Sequence, residues 1–537
     1  MKTFKGISRR KFLKILFMSG SAAMIDWTEL GLLASEIPDK KNFPIVVIGA
    51  GLGGLVSAAY LIKSGFPVTL IEQHSVPGGY ATSFERKSGK FEFDVSLHAT
   101  VAENAIPQKI LSDLGVWNDL KLAYTPELRR IISPDYDIVL PAKNPEEVKK
   151  RISAVFPDEK TGIYNFYSQM EQVIDELWGN NSSNKAIIKK LEKISLDQWM
   201  SMHVKNPEVK KIFSIFCGYY GTAPSETNAL FYAIATGEYL MLGGQYYKTR
   251  SQELSNALAK AIYTNNGKII FNTEIKQILV SKSSSLKKND YFIKGVKDLD
   301  DKIYPAKAVI ANSNAPMIFK KMLPDNILPE NYLKNLKTHR KSLSSFVVWL
   351  GLKKEITSVK NYEIEIDIKK HAEYDKNHLY SGKYIDSTCS VTIYDNLFKG
   401  YSQPGTSTIS IMSLADYDFW KKFEKDYFNG NKDVYNRKKN KLAEFLIEQV
   451  EKMLIPGLKD SIEVMEIGTP LTNIRYTKNP GGAIYGYDRN RKHLGSRTPV
   501  KGLYLASAWS NGGGYTPAMM AGRNAVRNLL NDFKMLA

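Results

Sequence analysis

Cysteine is almost absent: Cys217 and Cys389 are the only two in 537 residues. Neither sits in a C-x-x-C, so there is no thiolate metal site and no disulfide framework. Both read as buried apolar residues, with a single bridge between them as the alternative. Long apolar runs are missing too. The stretch Ile15 to Ile25, with Asp26 and Glu29 behind it, falls short of the roughly 20 residues a membrane-spanning helix needs. No internal repeat, coiled-coil heptad, metal-ligand cluster or Ser-His-Asp pattern occurs, so solenoids, metalloenzymes and triad hydrolases are set aside and no metal site is expected. Negative charge is in deficit, with a formal net charge of +19. The basic excess forms no helical stripe with interleaved aromatics and no recognised nucleic-acid motif, so it reads as solvated surface, with contact to an anionic membrane surface as the alternative.

What is present begins at Pro44. Pro44 to Ile48 is a short apolar run suited to a strand buried on both faces, and Gly49-Ala50-Gly51-Leu52-Gly53-Gly54 follows at once. This is G-x-G-x-x-G between a strand and a helix, the second element running from Leu52 to Ser64. Gly49 permits the tight turn, Gly51 removes the side chain where a pyrophosphate approaches, and Gly54 lets helix and strand pack closely. The helix start offers unpaired N–H groups and a positive dipole end to phosphate. Gly65 closes the helix, Pro67 to Ile71 form a second strand, and Glu72 stands where a carboxylate accepts hydrogen bonds from ribose hydroxyls. An acid there suits FAD or NAD better than NADP.

The next segments decide between these by resemblance. Pro77-Gly78-Gly79-Tyr80-Ala81-Thr82-Ser83-Phe84 resembles the second glycine pair of FAD oxidoreductases of the amine oxidase and phytoene desaturase superfamily, which implies FAD. Phe93-Asp94-Val95-Ser96-Leu97-His98 is similar to the Phe-Asp-x-Gly-x-His segment of the branch holding carotenoid isomerases and retinol saturases, with Ser96 in place of glycine. His98 is the candidate proton donor near a flavin; its other reading, which the sequence favours, is a packing or hydrogen-bonding residue. Thr273 to Ile278 resembles the strand whose backbone brackets adenine, with Ile275 as the contact. Gly468 to Thr472 and Gly482 to Gly486 resemble the same branch. Gly512-Gly513-Gly514-Tyr515-Thr516-Pro517 opens a last helix whose first amides would stabilise negative charge on a reduced flavin. Where relatives carry an acid or amide after the preceding strand, Ser507-Ala508-Trp509 stand, so Ser507 or backbone would hold the ribityl chain.

The crowded aromatic stretch Phe213 to Tyr247 reads either as core or as the lining of an apolar slot. Lys248-Thr249-Arg250 after it would place positive charge near the entrance. Lys353 to His371 and Lys425 to Lys441 read as exposed, charge-rich insertions. At the start, Ser8-Arg9-Arg10-Lys11-Phe12-Leu13-Lys14 matches the twin-arginine export pattern, which implies the export machinery as a partner and a location in the periplasm or on the outer face of the cytoplasmic membrane.

The expected fold is α/β: a Rossmann-type FAD-binding domain (residues 41–140, 251–335 and 467–537) interleaved with a mixed α+β substrate domain (141–250 and 336–466), after a signal and linker at 1–40. The resemblance implies an FAD-dependent oxidoreductase that desaturates, saturates or isomerises a long apolar polyene or isoprenoid, with an electron donor or acceptor the sequence does not name. The rivals are an amine oxidase-like flavoenzyme with a polar substrate and a non-catalytic flavin or lipid carrier.

Overall fold

The computed structural model describes residues 27–35, 37, 39–96, 98–178, 186–248, 250–282, 291–369, 387–488 and 493–534. The twin-arginine segment and Thr249 lie outside them.

Ile-Val-Val-Ile at 45–48 is buried at all four positions and forms the middle of a five-stranded parallel sheet. Its order is Leu503–Leu505, Ala308–Ala311, Ile45–Ile48, Val68–Ile71, Lys268–Ile270, and every pairing is parallel. Such a sheet needs both faces covered, which is why apolar residues run without alternation through Ile45–Ile48. The helix Leu52–Lys63 has eleven of its twelve residues buried and ends at Gly65, whose φ of +91° only glycine adopts readily. Helices Arg250–Thr264 and Tyr515–Lys534 pack against it. The three sequence-distant stretches expected to build one dinucleotide domain therefore meet in one sheet: the chain has a parallel Rossmann-like sheet in a mixed α/β fold.

The second sheet has seven strands, ordered Ile462–Gly468, Ser344–Leu352, Ser407–Ala415, Thr388–Ile393, Glu363–Asp367, Glu127–Ser133, Tyr136–Pro141. The last two strands, all but Pro141, fall within 41–140, read from sequence as cofactor domain, yet they pair here. Period-2 alternation gives the sheet two different faces. Phe346, Val348, Leu350, Ile364 and Ile366 share an apolar cluster with Trp420, Tyr435, Leu446 and Val450 of the 417–453 helices. Ser345, Val347, Trp349, Glu363 and Glu365 point the other way, into a cavity. Lys370 and His371 lie outside the described residues; the expectation that Lys353 to His371 is an exposed insertion holds for Lys353–Ser358, which is largely exposed, and is corrected for Glu363–Asp367, which is buried throughout. Its acids are tolerated because Arg129 and Lys211 neutralise them (Arg129 Nη1 to Glu363 Oε1 3.0 Å; Lys211 Nζ to Asp367 Oδ2 2.6 Å). Over Lys425–Lys441 the aromatic rings of Tyr427 and Tyr435 are buried against each other beneath exposed lysines.

Helices between Pro145 and Leu242 form a third apolar cluster that includes Phe213, Phe216, Leu230 and Tyr232, so much of the aromatic stretch is core. Cys217 and Cys389 are both buried and free, which removes the bridge.

Candidate cofactor and substrate cavity

One continuous cavity of ≈ 860 Å³ runs from Glu72 and Ile275, past Gly51, Gly78 and Gly513, to Arg129, Glu238 and Glu363. Every cofactor position chosen from sequence except Gly54 lines it: Gly49, Gly51, Gly53, Glu72, Gly78, Gly79, Ile275, Ser507, Gly513, Gly514, Tyr515 and Thr516, together with His98.

The glycines divide their work by what stands opposite. A Cβ on Gly54 would lie 2.0 Å from the Gly49 carbonyl oxygen, and one on Gly53 1.8 Å from that of Ala506, so these two set the packing of helix on sheet. Gly49 (φ +89°), Gly78 (φ +127°) and Gly79 (φ +63°) make the turns, and the Gly78 N–H donates to Ala50 O at 2.7 Å, tying the second glycine pair to the first. Gly51 caps the helix with no side-chain hydrogen bond, leaving first-turn amides toward the cavity. A residue missed by sequence, Asn312, shares this corner: its amide oxygen accepts the Gly51 N–H and its nitrogen donates to Ala506 O, each at 3.0 Å.

Glu72 is buried at the cavity wall. Its Oε2 accepts the Ala50 N–H at 2.6 Å and its Oε1 the His74 N–H at 2.9 Å, so the carboxylate braces the glycine loop and keeps remaining lone pairs for a hydroxyl ligand. Ile275 opens the strand beside it, and Thr273 N–H donates to Glu72 O. Ser507 Oγ donates to Ser313 O at 2.8 Å, which fixes the hydroxyl at the wall. Gly513 packs on Tyr485, where a Cβ would meet Cα at 2.5 Å. Ser96, which departs from the glycine of the resembling segment, is accommodated: its Oγ donates to Tyr80 O at 2.8 Å. Asp94 in the same segment is buried, accepts from Tyr246 and Ser251, and is pushed up to about 6 by burial.

His98 is held from several sides. Its Nδ1 lies 2.9 Å from Thr392 Oγ1 and 3.3 Å from Tyr394 OH, its carbonyl accepts from Tyr362, and its ring stacks on Tyr394. Burial pulls its pKa below the ordinary 6.5, Arg129 adds to that, and Glu363 opposes it. A neutral ring held through Nδ1 fits the packing reading. His98→Asn is expected to lower stability by about 1–3 kcal/mol, the cost of leaving buried partners unmet, and to leave turnover per bound flavin within a few-fold. Because the folded-state pKa is depressed, wild-type His98 favours folding above about pH 6.5 and loses that contribution as pH falls. The deficit of the variant should therefore narrow in acid. Thermal melts across pH and turnover per flavin check this, and a loss of 10²-fold or more at full occupancy would make His98 catalytic.

The far end of the cavity holds a polar floor that sequence reading missed. Arg129 is buried, bonded to Glu363, 3.7 Å from Glu365, and covered by the rings of Phe216 and Tyr219 at 5.5 and 4.9 Å. Tyr219 donates to Glu363, and Thr388 to Glu365 at 3.0 Å. The Glu-Ile-Glu-Ile-Asp alternation at 363–367 was the available signal. The walls above are largely apolar: Ile215, Phe231, Ile234, Met412, Leu414 and Ile484. Arg250 does not stand at an entrance. It is turned onto Glu92 (3.0 Å) and Tyr401 and is absent from the lining, as is Lys248. Among the described residues no group of His, Cys, Asp and Glu could hold a metal, and no helix is long and apolar enough to cross a membrane.

The NAD(P)-binding Rossmann-like domain model matches residues 47–111. All-trans-retinol 13,14-reductase from Danio rerio is 25% identical over 525 residues, covering 88% of this chain and 83% of that one. Prolycopene isomerase from Daucus carota is 24% identical over 514 residues, covering 90% and 78%. Among solved structures, an oxidoreductase from Methanosarcina mazei superposes with a TM-score of 0.61 at 16% identity over 91% of this chain and 100% of that one. Putrescine oxidase bound to putrescine superposes with a TM-score of 0.57 at 14% identity over 91% and 99%, and at such identities the likeness is one of fold. The chain is thus similar along most of its length to all-trans-retinol 13,14-reductase and prolycopene isomerase, and carries a Rossmann-like dinucleotide-binding domain.

Proposed function

We propose that this protein is an FAD-dependent enzyme that reduces, desaturates or isomerises carbon–carbon double bonds of a long polyene or isoprenoid. The observation that carries the reading is the continuity of a dinucleotide cradle with a largely apolar chamber in one cavity. The cradle fits FAD: small residues clear a path along Gly51, Gly78 and Gly79, and first-turn amides suit a diphosphate. Glu72 and the Ile275 backbone would hold the adenosine end, and Gly513 to Thr516 would lie along the flavin end. Bound there, FAD supplies the two-electron chemistry that no side chain of this protein can. The protein's own part is to orient a chain against it and keep water out, through Ile215, Phe231, Ile234, Met412 and Leu414.

A second reading has an observation in its favour. The floor carries two carboxylates against one guanidinium, a net negative charge that suits an amine-bearing substrate. Organic extraction of the purified yellow protein followed by mass spectrometry separates the two: a conjugated or isoprenoid chain supports the first, and a diamine with no such lipid supports the second.

We also infer export by the twin-arginine route from Arg9 and Arg10, to the periplasm or the outer face of the cytoplasmic membrane. Replacing both by lysine is expected to retain flavin-loaded protein in the cytoplasm. Fractionation checks it, and unchanged export would contradict it.

A further inference from the structure

The helix Ala229–Leu242 turns one stripe to the cavity: Phe231, Ile234, Ala235, Glu238 and Tyr239, the i, i+3, i+4, i+7, i+8 spacing of a single face. Its other side is fixed in the helical core, with Gly237 so close to Ile174 that a Cβ would lie 2.8 Å from Cγ1. The stripe therefore cannot rotate away. Glu238 is the one acid on it, set among Ile234, Ala235 and Phe231. Among the described residues its carboxyl has neither a hydrogen-bond donor nor an ion-pair partner.

The neighbouring titratable groups are committed elsewhere. Arg129 pairs with Glu363 and Glu365, Tyr219 donates to Glu363, Tyr220 bonds Thr236, and Tyr239 donates to Ala99 O. His98 is held by Thr392 and Tyr394. On the helices packed behind, Glu171, Asp175, Glu176, Lys189, Lys190 and Asp197 do not line the cavity. A lone acid in an apolar wall costs stability, and nothing in the packing repays it. Burial alone raises its pKa to about 7, so the acid holds its proton near neutrality and can still release it.

We propose that Glu238 is the proton donor and acceptor for the double bond held in this cavity, a role that rests on the polyene reading above. The Glu238 O–H bond breaks as its proton forms a C–H bond with one alkene carbon, using the π electrons of that double bond. The positive charge spreads over the remaining conjugated system. The former double bond rotates as a single bond, Glu238 carboxylate removes a proton from the same carbon, and the double bond reforms in the other geometry. Nothing is oxidised or reduced, and the acid is regenerated.

The test uses full-length, FAD-loaded wild type, Glu238→Gln and Glu238→Asp, with prolycopene and all-trans-retinol as probes and chromatography of the isomers formed. Glu238→Gln is expected to lower kcat by roughly 10²- to 10⁴-fold with KM and flavin content nearly unchanged, and Glu238→Asp to recover part of the loss. Wild-type rate should fall as pH rises through about 7, where the acid ionises. A melting comparison reads the same group without turnover. Folding raises its pKa, so the wild type is penalised as pH rises from about 4.5 toward about 7, and the stability advantage of the Gln variant should grow over that window. Conversion of a probe by wild type and Gln variant alike, or a melting difference flat with pH, would overturn this role while leaving the polyene reading intact. Failure of wild type to convert either probe would overturn both.

Discussion

Gly51→Val is expected to give folded, colourless protein. The Gly51 backbone, with φ at −68°, suits any residue, so valine introduces no backbone strain. Its Cβ would instead stand 2.6 Å from the Asn312 amide, the movable end of a side chain. The fold can yield there. The space cannot yield for a ligand, because two added methyl groups fill the approach to the first-turn amides and displace Asn312 from its bonds to Gly51 N and Ala506 O. Flavin content should drop by 10²-fold or more in affinity, with the melting transition of the apoprotein retained. Gly53 provides the contrast: its Cβ would meet a backbone oxygen at 1.8 Å, so Gly53→Ala should damage folding itself. Yellow Gly51→Val protein at full occupancy would remove the cradle assignment.

The second large effect belongs to Arg129. It is 1% exposed and is the guanidinium shared by two buried carboxylates, so Arg129→Met roughly keeps volume and removes the one positive charge bonded to Glu363 among the described residues. Breaking a buried pair from one side leaves an uncompensated charge, at a cost of about 3–5 kcal/mol. Unfolding should shift to clearly lower temperature and denaturant concentration. Adding Glu363→Gln and Glu365→Gln to Arg129→Met should recover most of the loss, because the stranded charges are gone. Arg129→Met melting within a degree of wild type would show that the floor is wetter than its burial implies.

These two sites also show what the sequence could and could not convey. The cradle was legible because its logic is local: a buried strand, glycines at fixed offsets and an acid after the second strand lie within about thirty residues. Glu363–Asp367 was misread because charge density suggests solvent, and only the pairing with Arg129 and Lys211, both distant in sequence, lets these acids be buried. The alternation was visible, but its partner was not. Arg250 was misplaced for the same reason, since Glu92 and Tyr401 meet it only in the folded chain. Glu238 lay inside a stretch whose aromatic content drew attention away from its helical spacing with Phe231, Ile234 and Ala235.

The central claim is that one cavity brings a flavin and a polyene together. Its most direct test is product analysis after incubating FAD-loaded wild-type protein with prolycopene and with all-trans-retinol, under oxidising and under reducing conditions. The account predicts a change in double-bond geometry or hydrogen count in at least one of them, any change in hydrogen count being dependent on bound FAD. Both polyenes recovered unchanged, with putrescine oxidised by the same preparation, would contradict it.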